Sequence, residues 1–196
     1  MEQLKPLDQV LEADERNRYF RGVSLEWLHS VALDMPLNAS VPEPVQNQFA
    51  IARNAYVYSW FFYPFQAAAL LYSFLAIELA LQHRVKHANP AMFAGPREPT
   101  LYPLLEYALR ERWVLDLGFR RIPLNAGVAD HIAKRYPSIP EDQRYSYNLL
   151  DVLVSLRNDL AHGEFMLAPA MGSLLARGAE VINQLFPCDS LGDHGR

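Results

Sequence analysis

No side chain between residues 55 and 77 carries a formal charge, and a run of that length has to be wrapped either by lipid or by the rest of the protein. It is long enough to cross a bilayer, but it contains Ser59, Pro64, Gln66, Ser73 and the tyrosines Tyr56, Tyr58, Tyr63 and Tyr72. Glu78 follows at once, where a spanning helix favours an apolar or basic flank. The expectation is a buried core helix interrupted at Pro64, with no membrane partner.

The rest of the chain has the material to build such a core. Of 196 residues, 51% are hydrophobic and 20% charged, enough to close one sizeable core without disulfides or metals. The net charge of -4 means that nothing in the overall balance recruits a polyanion, so any nucleic-acid contact has to come from a local patch. Cys188 is the lone cysteine; it excludes an intrachain disulfide or a multi-cysteine zinc site and fits a reducing compartment, with the cytoplasm as the expected address. Residues 1–14 mix Lys5 with Asp8, Glu12 and Asp14 and do not read as a secretion signal.

Proline and glycine divide the chain into helical pieces. A first helix is expected over 7–19, and a second runs from a cap at Ser24 through Asp34, before Pro36 stops it. A connector over 37–44 leads to helices at 45–62 and 65–87, the second rich in alanine and leucine and ended by Asn89 and Pro90. Thr100 can cap a fifth helix reaching Trp113. Residues 114–145 hold Gly118, Pro123, Gly127, Pro137 and Pro140 and read as an irregular excursion with one short helix over 126–135. Helices are expected again at 147–162, with Gly163 as its C-terminal cap, and at 170–185. No run alternates with period two, so the fold class is all-α.

The helix at 147–162 closes with Arg157, Asn158, Asp159 and His162 crowded into its last two turns. At 100° per residue Asn158 and His162 share a face, whereas Arg157 points about 140° away from His162, beside Leu150 and Leu153. One helix therefore cannot focus both groups on a single phosphate, but two copies related by a twofold axis can. Arginine holds a phosphate bidentately, and histidine exchanges a proton near neutral pH. Together they suffice for attack by a ribose 2′-hydroxyl on its own phosphate, a route that needs no metal or cofactor. The plainer alternative is that Arg157 pairs with a carboxylate and His162 caps a helix end.

The stretch from Arg157 to His162 resembles the R-x(4–6)-H signature of the HEPN superfamily, including the Arg-Asn start frequent there. The alanine-rich helix that carries Glu78 resembles the long HEPN helix with an acidic residue in an apolar face. The resemblance covers residues 45–186, leaving 1–44 as an N-terminal helical extension and 187–196 as a tail. It implies an up-and-down helical bundle, usually a homodimer. In many members this bundle is a metal-independent endoribonuclease of toxin–antitoxin or other defence systems; other members are non-catalytic RNA-binding or scaffold modules. On that footing Arg157 and His162 are the expected catalytic pair, with Asn158 as the polar neighbour, RNA as the substrate and an antitoxin as a further partner. Glu78 lies on a stripe with Leu71, Phe74 and Leu75, where an unpaired carboxylate is costly, and Arg157 is its natural partner. The pair can orient the arginine for chemistry or be a plain structural salt bridge.

A basic patch for RNA can draw on Arg120, Arg121, Arg135 and Arg144, with Arg110, Arg112 and Lys134 nearby and Trp113, Phe119, Tyr136 and Tyr145 for stacking. Glu111, Asp116, Asp130, Glu141 and Asp142 are interleaved with these cations, which equally describes a charge-balanced surface. His83 and His87 share a helix face, but Arg84 and Lys86 beside them disfavour a metal. No glycine-rich phosphate loop or serine-nucleophile elbow is present in the sequence.

Overall fold

A computed structural model of the chain describes residues 3–120, 126–162 and 171–188. Among the described residues there are seven α-helices and no strand: α1 (Leu25–Leu33), α2 (Glu43–Tyr58), α3 (Phe65–Ala88), α4 (Leu101–Arg110), α5 (Ala126–Arg135), α6 (Arg144–Ala161) and α7 (Met171–Leu185).

The uncharged run becomes the end of α2, a tight corner and the first half of α3. The corner forms because backbone turn bonds join Trp60 to Val57 and Phe61 to Tyr58, and the Ser59 hydroxyl donates to the Tyr56 carbonyl at 2.6 Å. Helix α2 thus stops at Tyr58 instead of running on to residue 62. Pro64 then opens α3, where its missing N–H costs nothing.

Helix α3 packs against α2, α4, α6 and α7, which explains why apolar residues occupy nearly its whole circumference. Ala69, Leu70, Phe74, Ile77, Ala80, Leu81 and Val85 are all buried. By length and composition α3 could cross a membrane, but 50% of its apolar window is buried inside the protein. The N-terminal segment enters the same core through Leu28, Ala32, Met35 and Val41.

The expected helix over 7–19 does not form. Two short 3-10 turns, Leu7–Gln9 and Glu15–Tyr19, take its place. Leu7 and Leu11 find no apolar partner along this segment, and Asp14 turns inward to the α2–α3 corner, accepting from the Tyr63 amide at 2.9 Å. Ser24 caps α1 as expected, accepting from the Trp27 amide at 3.1 Å. Thr100 precedes α4 but makes no capping bond with its side chain. Helix α4 ends at Arg110, short of Trp113, because Arg112 takes a φ of 58°, the left-handed conformation that closes helices. Helix α6 starts at Arg144, a turn earlier than residue 147, and α7 at Met171. The cap expected at Gly163 lies outside the described residues.

Helix α7 approaches α3 so closely that a β-carbon on Gly178 would stand 2.4 Å from the hydroxyl oxygen of Ser73. Ser73 is buried and that oxygen has no hydrogen-bond partner among the described residues. Gly178→Ala is therefore expected to destabilise the protein by about 1–2 kcal/mol, the overpacking outweighing the gain in helix propensity. In thermal denaturation followed by circular dichroism, Ser73→Ala should be nearly neutral alone and should restore most of the loss in the double variant. A double variant no more stable than Gly178→Ala would show that the hydroxyl is not what the β-carbon meets.

Candidate functional site

Helix α6 carries the candidate residues and is fixed at three levels. At its N-terminus the Asp116 carboxylate accepts from the backbone amides of Tyr145 at 3.0 Å and Ser146 at 2.8 Å, and from the Ser146 hydroxyl at 2.6 Å. An acidic acceptor here satisfies amides that lack helical partners and suits the positive end of the helix dipole.

Midway, Asp151 accepts from the Arg135 guanidinium at 2.8 Å and the Tyr136 hydroxyl at 2.5 Å, tying α6 to the end of α5. Burial by itself would raise the Asp151 carboxyl, but the two donors outweigh it and hold it below the ordinary carboxylate value. The Tyr136 hydroxyl is pushed up by burial and by its bond to Asp151.

Near the C-terminus the Arg157 guanidinium lies 3.8 Å from the Glu78 carboxylate on α3. Arg157 is 37% exposed and Glu78 17%, so the contact sits at the rim of the core and leaves part of the guanidinium open to solvent. At that distance it is an ion pair without a hydrogen bond, worth on the order of 1 kcal/mol or less. Glu78 thus finds the partner its place on an apolar stripe demands. Leu149, Leu150 and Leu153, buried on the same side of α6, show that Arg157 flanks the core-facing face.

Asn158 and His162 are exposed on the other side. His162 is the residue on which α6 ends, its backbone N–H donating to the Asn158 carbonyl at 3.0 Å. The structure therefore brings Arg157 to Glu78 but does not bring Arg157 and His162 to one point within a single chain.

Most of the arginines proposed for an RNA patch have other contacts. Arg135 is held by Asp151, and Arg144 donates to the Ile139 carbonyl at 3.1 Å. Arg112 pairs with Asp142, and Lys134 with Asp130 at 2.6 Å. Arg120 is exposed and its backbone amide bonds the Glu180 carboxylate at 3.2 Å. Arg121 lies outside the described residues. The interleaved acids anticipated in the sequence are indeed the partners of several of these cations.

Sequence reasoning missed Asp116 and Asp151 as the groups that fix α6. Asp116 sits in a turn-rich stretch and Asp151 within a helix, and neither place reveals a partner. No protein-family model, curated protein or solved structure matches the chain.

Proposed function

We propose that this chain is a HEPN-like, metal-independent endoribonuclease whose up-and-down bundle works as a homodimer in the cytoplasm, in a toxin–antitoxin or defence setting. Each active site is composite. Arg157 of one protomer holds the scissile phosphate and stabilises its developing charge, while the partner subunit's His162 exchanges the proton. The ribose 2′-oxygen attacks phosphorus, the bond to the 5′-oxygen breaks, and the products are a 2′,3′-cyclic phosphate and a 5′-hydroxyl end. Asn158, on the exposed face with His162, serves as a polar contact to the RNA, and Glu78 positions Arg157. Arg120, Arg121, Arg135 and Arg144 are the candidate contacts to flanking phosphates.

The observation that carries this reading is the ion pair between Glu78 and Arg157, because it joins the two helices on which the family resemblance rests and leaves the arginine partly exposed. The same pair favours a second reading, a non-catalytic HEPN-like RNA-binding or scaffold module in which Arg157 merely satisfies Glu78.

The deciding experiment incubates wild type, Arg157→Ala and His162→Ala with total RNA in EDTA, with circular dichroism to show that each is folded. Cleavage by wild type alone is the expected result. No cleavage, or equal cleavage by all three proteins, would overturn the catalytic reading in favour of the binding module.

A further inference from the structure

Several strongly exposed apolar side chains lie near the N-terminus, where Leu4 is 99% and Leu11 75% exposed, close to half-exposed Tyr58 and Phe65. Concentrated apolar surface of this kind marks a place where something docks. Here it is shaped into a cleft of about 590 Å³, within the size range of small-molecule sites. One wall is Leu4, Val10 and Leu11, and the other is Tyr58, Phe61 and Phe65 at the α2–α3 corner. Tyr58 and Phe61 also line an adjoining cleft of about 390 Å³ beside α1, so an extended chain has room to continue.

Among the described residues Lys5 is the one charged side chain lining the larger cleft. Its ammonium clips the two walls together, donating to the Glu12 and Phe61 carbonyls at 2.8 Å each. An ammonium has three N–H donors, and the third has no protein partner among the described residues. An apolar trough with one cation holding a spare donor is complementary to an apolar chain that ends in an anion.

We propose that this cleft binds a free long-chain carboxylate, its chain lying against Tyr58, Phe61 and Phe65 and its carboxylate accepting a hydrogen bond from Lys5. The occupant is a single amphiphile, not a lipid surface. The apolar lining lies between two facing walls and not on a projecting face, so it receives one chain and not a bilayer surface.

Calorimetric titration of the full chain with decanoate, below the concentration at which it forms micelles, tests the assignment. Saturable binding of one decanoate per chain is expected. Lys5→Met should weaken it about tenfold, the effect of losing one charge-assisted hydrogen bond. The uncharged analogue 1-decanol should lose markedly less affinity than decanoate on Lys5→Met, because only decanoate also loses its ionic partner. Leu11→Asp should abolish binding and keep the fold, because Leu11 is exposed; Val10→Ser is a milder second variant in the same wall. Absence of saturable binding, or decanoate affinity indifferent to Lys5→Met, would overturn the proposal. So would flotation with phosphatidylglycerol vesicles without uptake of free decanoate, or self-association in sedimentation that Leu11→Asp abolishes while decanoate fails to bind.

Discussion

An equimolar mixture of Arg157→Ala and His162→Ala proteins, each inactive alone, is expected to cleave RNA at about a quarter of the wild-type rate once subunits have exchanged. The expectation comes from the geometry of α6. Arg157 flanks the core-facing side, next to Glu78, while His162 is exposed at the helix end, about 140° round and some 7.5 Å along the axis. A site that needs both must take one from each protomer. In a mixed dimer one shared site then loses both groups and the other keeps both. Half the dimers are mixed under random exchange, and each holds one of its two sites, which gives the quarter. Removing either group should lower the rate of the pure variants by about 10²–10⁴, the usual contribution of a positioned proton-transfer or charge-stabilising group. The measurement is the initial rate of cleavage in EDTA before and after subunit exchange. A mixture as inactive as its components would sink the shared site while leaving open a nuclease that uses only one chain.

Helix α5 is punctuated by Pro123 before it and Pro137 after it, and its expected end at Arg135 is the end observed. Helix α3 was equally legible, because Pro64 and Asn89-Pro90 punctuate it and its alanines and leucines favour helix. The segment over 7–19 was misread for the opposite reason: its apolar spacing mimics a helix, but Leu7 and Leu11 are left exposed, so nothing rewards the helical periodicity.

The candidate site divides in the same way. The pairing of Glu78 with Arg157 could be anticipated, since a carboxylate on an apolar stripe needs a cation and Arg157 lies beside the matching stripe of α6. Asp116 and Asp151 could not, because Asp116 meets Ser146 across 30 residues and Asp151 meets Tyr136 across 15. Such partners are set by how loops and helices pack, and a one-dimensional pattern holds no record of it. Lys5 was hidden likewise: its bond to Phe61 spans 56 residues.

Asp14→Ala is expected to cost about 3 kcal/mol and to lower the melting temperature by about 6–12 °C. Asp14 is only 7% exposed, and its carboxylate accepts from the Arg16 guanidinium at 2.7 and 2.8 Å, from the Arg16 amide at 3.0 Å and from the Tyr63 amide at 2.9 Å. Truncation leaves the buried Tyr63 amide without its acceptor and removes the carboxylate that holds Arg16, whose guanidinium stacks over the Tyr63 ring. Burial alone would raise this carboxyl, but the donors overcome it and lower it from 3.8 to about 2. A carboxyl held lower in the folded than in the unfolded chain stabilises the fold above its unfolded value, and the contribution is lost as pH falls from about 4 towards 2. The shift corresponds to about 2 kcal/mol. Wild type should therefore lose stability across that acid window more steeply than Asp14→Asn, which keeps an acceptor but cannot titrate. Parallel losses in the two proteins, or a melting temperature for Asp14→Ala within about 2 °C of wild type, would show that this buried acid does not anchor the N-terminal segment to the α2–α3 corner. The same anchor holds one wall of the apolar cleft in place, so Asp14→Ala should weaken decanoate binding as well.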